Sequence, residues 1–226
     1  KLLKKILIPR SPLANKGNFG HALIYAGSDN FLGAAYLTCQ SAIFGGAGYV
    51  DLCYDSPCFA NSLPEVIYTK RENLKEINLN RISSILFGNG LDYPNKWIQQ
   101  DLDYLLLNYT KKLVVDATGL KYLKNFLLKH NPNEICPQLI LTPHIKEFCN
   151  LFDIGYIDSN VLNYEKYLNS ILKIFSRCTI ILKSYNTLIK DNKERFFIDK
   201  VNPGLAKAGS GDCYSGLLVS FLAYLN

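Results

Sequence analysis

Short runs rich in Val, Ile, Leu, Tyr and Phe alternate, along almost the whole chain, with longer segments of helical periodicity. Few folds accommodate that pattern. A short apolar run without polar alternation reads as a strand buried on both faces, and such strands, when separated by helices, pair in parallel through crossover connections. The runs predict strands over 21–26, 49–53, 84–87, 113–116, 139–141 and 180–182. Between and after them the periodicity predicts helices over 33–44, 96–107, 120–128, 145–152 and 161–175, with an apolar closing helix over 211–225. Segments 187–189 and 196–198 read as a hairpin around Asp191-Asn192. The expected fold is therefore α/β, a mostly parallel central sheet covered by helices on both faces. In such sheets ligands sit beyond the carboxyl ends of the strands.

Composition narrows the class further. With 226 residues, 48% hydrophobic and 19% charged, the chain has apolar material for one substantial core, which excludes intrinsic disorder. No linker, low-complexity tract or internal repeat divides it, so residues 1–226 are expected to form a single domain. No run reaches the roughly 18 apolar residues of a membrane span, and the basic start Lys1-Leu2-Leu3-Lys4-Lys5 lacks the features of a secretory signal. The net charge of +6 is dispersed, its densest group being Lys1, Lys4, Lys5, Arg10 and Lys16. Without a basic stripe interleaved with aromatics, no nucleic-acid partner is expected; the charge instead favours anionic small molecules. Seven cysteines, none in a C-x-x-C pair, argue against a disulfide framework or a zinc knuckle and point to the cytoplasm. Methionine is absent, initiator included, so a longer translated product is expected.

The residues that follow the strands carry the chemistry. After the first strand, Gly27 permits a tight exit and Gly33-Ala34-Ala35 opens a helix that can approach a ligand closely; simple helix–strand packing explains the same residues. This turn matches neither G-x-G-x-x-G nor the P-loop pattern. Another strand ends in Phe87-Gly88-Asn89-Gly90-Leu91, a glycine turn with backbone N–H groups to offer. Asp116, at a further strand end, suits either a metal ion or the cap of the next helix. Pro143 bends the chain so that His144 projects at the rim. Lys183 and Thr187 lie at a strand end and suit a nucleotide's phosphate or ribose.

The segment from Asn202 to Asp212 says most. Its small residues Gly209, Ser210 and Gly211 let successive N–H groups point one way. The following helix adds roughly half a positive charge at its N-terminus. Asp212 then lies in the first turn, beside whatever that hole holds. Phosphoryl transfer needs these parts: donors for the equatorial oxygens and a carboxylate that deprotonates an acceptor hydroxyl. An N-cap aspartate after a flexible loop is the plainer alternative.

An ordered set of motifs accompanies it: K-G-x-x-G-H (Lys16 to His21), G-S-x(4)-G-A-A (Gly27 to Ala35), G-x-G-L (Gly88 to Leu91), V-V-D-A (Val114 to Ala117), T-P-H-x-x-E (Thr142 to Glu147), L-K-x(3)-T (Leu182 to Thr187) and N-P-G-L-A-x-A-G-S-G-D (Asn202 to Asp212). Together they resemble the NAD(P)H-hydrate dehydratases of the ribokinase-like superfamily. The resemblance implies the ADP- or ATP-dependent dehydration of hydrated NADH or NADPH back to the reduced cofactor, with Mg²⁺ bridging the nucleotide phosphates. It implies that Asp212, Gly209, Ser210 and Gly211 are catalytic, and that Ala34, Ala35, Gly90, His144 and Asp212 line the substrate site. Lys183, Ser184, Tyr185, Asn186, Thr187 and Gly211 would bind the adenine nucleotide, and a homo-oligomer is expected. Relatives of this kind continue through further C-terminal helices, so the chain is expected to lack them.

Some positions depart from the family pattern. The usual G-P-G is Gly88-Asn89-Gly90, which loses the rigid proline turn; Thr118 replaces a second acid, Ser184 a glycine after Lys183, and Val201 a glycine before Asn202. Ser210 stands where threonine is common and keeps its hydroxyl. A kinase of the same fold, acting on a hydroxymethyl-pyrimidine, thiazole alcohol or sugar, would share the Gly-Ser-Gly-Asp element but is not expected to carry T-P-H-x-x-E with N-P-G-L-A. A non-catalytic nucleotide sensor is a third reading.

Overall fold

The computed structural model describes residues 9–55 and 63–225; Lys1, Lys4 and Lys5 of the basic group, and Cys58, lie outside them. Its strands are β1 (His21–Tyr25), β2 (Tyr49–Tyr54), β3 (Ile67–Lys70), β4 (Ser84–Phe87), β5 (Lys112–Val115), β6 (Gln138–Leu141), β7 (Cys178–Lys183), β8 (Thr187–Lys190) and β9 (Arg195–Ile198). They form one sheet in the order β3-β2-β1-β4-β5-β6-β7-β8-β9. Pairing is parallel from β3 through β7 and antiparallel for the hairpin strands β8 and β9. The helices are α1 (Leu32–Gly45), α2 (Lys96–Asn108), α3 (Gly119–Leu127), α4 (Ile145–Phe152), α5 (Glu165–Ile174) and α6 (Ser210–Tyr224).

Alternation along the central strands divides the core in two. Ala22, Ile24, Val50, Leu52, Leu86, Val114 and Ile140 pack with Ala35, Cys39 and Ala42 of α1 and with Val219 and Ala223 of α6. The residues between them, including Leu23, Tyr25, Ile85, Phe87, Leu113, Val115 and Leu141, pack with α2, α3, α4 and α5 on the other face. Both faces of the central strands are thus covered, and this is why the strands read as continuous apolar runs.

Two segments differ from the sequence expectation. The edge strand β3 has no buried residue in its four positions, so it carries no apolar signal. The predicted 161–175 helix is a 3₁₀ turn over Val161–Tyr164 followed by α5.

Helices α1 and α6 lie side by side and approach closely through small residues. A Cβ on Gly216 would stand 2.2 Å from the carbonyl oxygen of Thr38, and one on Gly45 would stand 2.7 Å from Ser220 Oγ. Polar side chains fasten α6 to its surroundings: Ser84 Oγ donates to the Val219 carbonyl at 2.7 Å, and Ala47 N donates to Ser220 Oγ at 2.9 Å. The contact fixes where the first turn of α6 emerges. Gly216→Val should therefore destabilise the fold by about 1–3 kcal/mol, the usual cost of overpacking. Urea unfolding followed by circular dichroism measures it, and an unchanged midpoint would show that the two helices separate freely.

Candidate active site

The chain leaves β1 toward β2 and β3 on one side, then returns to form β4 against the other side of β1. The loops beyond the carboxyl ends of β1 and β4 consequently diverge, and it is at such a switch point that open α/β sheets place their ligand crevice. The two loops meet at its floor. Gly27 N donates to the Asn89 carbonyl at 2.8 Å. Gly90 takes φ 66°, where a side chain would be strained, and a Cβ there would stand 2.6 Å from Ala34 Cβ.

The N-terminus of α6 faces this crevice, with Gly209 as its N-cap in the left-handed region and no side chain capping the helix. The first-turn amides, including those of Gly211 and Asp212, have no intrahelical acceptor, so this end is suited to an anion. Asp212 is half-buried, and its Oδ1 accepts from Asn89 Nδ2 at 2.8 Å. The same amide group reaches Asp116 Oδ2 at 3.4 Å. Asp116, buried beyond β5, also accepts from Ser215 Oγ at 2.5 Å and pairs through Oδ1 with Lys183 Nζ at 3.2 Å. Burial pushes the Asp212 carboxyl above its ordinary value; the Asn89 hydrogen bond and Lys183 oppose the rise, and the negative charge of Asp116 adds to it. Burial raises Glu147 in the same way, against the His144 contacts.

Four buried side-chain oxygens among the described residues have no hydrogen-bond partner: Ser28 Oγ, Asn89 Oδ1, Thr142 Oγ1 and Ser210 Oγ. Ser28 follows β1, Asn89 follows β4, Thr142 follows β6 and Ser210 opens α6. An unsatisfied buried polar group costs about 1–3 kcal/mol. All four lie at strand carboxyl ends or at the N-terminus of α6, which marks this edge of the sheet as the place where bound polar groups would complete them.

The residues singled out from the sequence fall in several places. Gly209, Ser210, Gly211 and Asp212 form the start of α6, which reaches Asn89 through Asp212, and Gly90 meets Ala34 directly after Asn89. Ala35 does not join them: the residue is wholly buried in the packing of α1 on the sheet. His144 is exposed at the rim but works locally, as the N-cap of α4: its Nδ1 accepts from Glu147 N at 3.2 Å while Glu147 Oε2 accepts from His144 N at 2.9 Å.

The expected nucleotide segment is the turn between the antiparallel strands β7 and β8. Ser184 and Tyr185 are exposed and Thr187 half-buried there. Lys183 is held against Asp116, and Asn186 departs from the expectation: its side chain is buried, accepting from Val161 N at 3.4 Å and donating to Asn160 Oδ1 at 3.2 Å, so it ties the turn to the 160–161 loop. Asp116 does not cap α3, whose N-cap is Thr118; its carboxylate is engaged by Ser215, Lys183 and Asn89. The K-G-x-x-G-H segment lies at the opposite end of β1, where His21 Nε2 contacts Asp51 Oδ1 at 2.7 Å.

Asn89, Ser215 and Glu147 were missed as site residues. Asn89 and Glu147 stood inside quoted motifs, and the departure of Asn89 from the proline pattern was the available signal. Ser215 had none, because it reaches Asp116 only through the fold.

Sheet order and the uncapped start of α6 together define an α/β fold of the ribokinase-like class. A ribokinase-like superfamily protein from Enterococcus faecalis superposes with a TM-score of 0.83 at 25% identity, covering 98% of this chain and 78% of that one. The sequence profile of the NAD(P)H-hydrate dehydratases matches residues 22–226, and the chain belongs to that family. It is accordingly a carbon–oxygen lyase. An ADP-dependent (S)-NAD(P)H-hydrate dehydratase from Streptococcus thermophilus is 28% identical over 98% of this chain and 80% of its own length. The ADP/ATP-dependent NAD(P)H-hydrate dehydratase of Bacillus subtilis, co-crystallised with ATP and Mg²⁺, superposes with a TM-score of 0.73 at 25% identity, covering 97% of this chain and 82% of that one. Bifunctional repair enzymes match too, and the chain spans less than half of their length.

The raised Asp212 carboxyl has a consequence for stability. A carboxyl that ionises less readily in the folded state penalises folding above its unfolded value, near 3.9, and the penalty is complete above its folded value. Asp212→Asn should therefore raise the melting temperature at pH 7, with the gain vanishing below about pH 4. Thermal unfolding of both proteins across pH 3–8 measures it; a variant less stable at pH 7 would contradict the assignment.

Proposed function

We propose that this enzyme performs the ADP- or ATP-dependent dehydration of hydrated NADH and NADPH, with Asp212 as the base that starts the reaction. The observation that carries the reading is the placement of the Asp212 carboxylate in the first turn of α6, beside uncapped amides and over the crevice between β1 and β4. Asp212 takes the proton from the C6 hydroxyl of the hydrated ring as that oxygen attacks the terminal phosphoryl group of the nucleotide. The amides of Gly209, Ser210 and Gly211 carry the charge spread over the transferred group. Hydroxide leaves poorly and phosphate leaves well. The lone pair of the ring nitrogen then expels phosphate from C6, and loss of a proton from C5 to the departing phosphate restores the C5=C6 double bond. A carboxyl held above its ordinary value is the stronger base for the first step.

Asp116, Asp212 and Glu147 gather near one ammonium, that of Lys183, which leaves the crevice short of positive charge for a polyphosphate. A magnesium ion that arrives on the nucleotide phosphates would offset the deficit. Among the described residues no group of three or more His, Cys, Asp or Glu side chains could hold a metal ion. The ion's chemistry is to neutralise phosphate charge.

Gly211 and the exposed turn residues Ser184 and Tyr185, with Thr187, are the proposed contacts of the nucleotide, and Gly90, Ala34 and the rim residue His144 those of the hydrated ring. The six cysteines described are unpaired, which supports a reducing, cytoplasmic location. A homo-oligomer is part of the same reading, supported by apolar side chains such as Phe44, 79% exposed on α1.

The test is one incubation with hydrated NADH, Mg²⁺ and either ADP or ATP, in which dihydronicotinamide absorbance and free phosphate are followed together. Both should appear in equal amounts, and Asp212→Asn should lower kcat by about 10²–10⁴-fold while still folding. A stable phosphorylated product without free phosphate would make the enzyme a kinase instead.

A further inference from the structure

We infer that Asn89 is the positioning residue of the reaction: its side-chain amide, held between the carboxylates of Asp212 and Asp116, sets the orientation of Asp212 and couples it to the network beyond β5. The inference rests on the reading of Asp212 as the base. The geometry of one planar group carries it. Asn89 Nδ2 stands 2.8 Å from Asp212 Oδ1 and 3.4 Å from Asp116 Oδ2, and the residue is 1% exposed. Both neighbours are acceptors, so the nitrogen and not the oxygen must face them. The backbone of the residue is fixed independently, because its carbonyl accepts from Gly27 N at 2.8 Å and the glycines on both sides take positive φ. Asp116 is fixed in turn by Ser215 and Lys183. The amide therefore has a rigid mount on three sides and one adjustable partner, Asp212.

The opposite end of the same group points to a ligand. Asn89 Oδ1 is buried without a partner. With the nitrogen committed to two carboxylates, that oxygen is left to accept from a donor of the bound substrate, so seating the substrate and aligning its base involve the two ends of one amide.

A proline at this position, as in the family pattern, supplies no donor. The chain would then depend on other groups to orient the carboxylate, and Asn89 is where this sequence replaces a stiff turn by a hydrogen bond. The charged groups facing Asp212 are Asp116 from beyond β5 and Lys183 from the end of β7. Glu147 on α4 faces Asp116 and Lys183, and Tyr214, on the same helix as Asp212, faces Asp116. Against that background the amide hydrogen bond favours the ionised form of Asp212, and its loss should shift the titration upward.

The experiment titrates Asp212 by ¹³C NMR in protein labelled at the aspartate carboxyl carbons, its signal identified by its disappearance in Asp212→Asn. In the wild-type protein the Asn89 side-chain N–H resonances should move with pH at the same midpoint as the Asp212 carbon. In Asn89→Leu, which keeps the branched outline of the side chain and removes both donors, that midpoint should rise by at least half a unit. The acid limb of the kcat/KM profile should rise with it, and kcat at neutral pH should fall about tenfold with KM changed less than threefold. Partial recovery of kcat at high pH separates lost alignment and lost poise from general damage. Asn89 N–H resonances that ignore the Asp212 titration would overturn the inference without any variant having to fold. An unmoved midpoint in Asn89→Leu would overturn it as well. Absence of dehydratase turnover in the wild-type protein would count against the reading of the reaction alone, since the NMR titration still decides the contact.

Discussion

The carbonyl oxygen of Thr38 and the bare Cα of Gly216 hold the architecture of the site together. Where they meet, α1 and α6 lie too close for any side chain, and that contact sets the height and direction at which α6 begins. Its first turn consequently stands over the crevice between β1 and β4, and everything proposed for Asp212 follows from that placement. Ser84 and Ser220 reinforce the same contact with hydrogen bonds from the sheet and from the turn after α1. Stability and function are joined here, because packing that fixes the helix also fixes a carboxylate in a place where ionisation costs free energy.

The electrostatics show the same coupling at closer range. A buried carboxylate is tolerable only when paired and hydrogen-bonded, and Asp116 meets that condition through Lys183, Ser215 and Asn89. Asp212 meets it only in part, through the single amide of Asn89. One carboxylate is thereby a fixed anchor while its neighbour remains available to a substrate proton. Two acids of identical chemistry take different roles because their surroundings differ.

Much of this was legible in the sequence. The apolar runs located the parallel strands because burial on both faces removes polar alternation, and the Gly-Ser-Gly-Asp segment located the uncapped start of α6. The edge strand β3 escaped because its side chains are not buried. Ala35 and Asn186 stand apart for a common reason: a motif says which positions matter but not which way a side chain turns, and both side chains turn into the protein. His144 proved to be half of a capping box with Glu147, a spacing visible in T-P-H-x-x-E but open to more than one meaning. Ser215 joins the network only through tertiary contact, a turn of helix beyond Asp212, and nothing local in the chain announces it.

The proposed reaction requires the C6 hydroxyl oxygen to bond to phosphorus before its bond to the ring breaks. Hydrated NADH carrying ¹⁸O in its C6 hydroxyl tests this directly, with the released phosphate examined by mass spectrometry. If Asp212 delivers that oxygen to the terminal phosphoryl group, each phosphate formed with restored NADH carries one ¹⁸O. Unlabelled phosphate, with the heavy oxygen recovered in water, would mean that the nucleotide is hydrolysed beside the ring and not joined to it, and the mechanism built on Asp212 would be wrong.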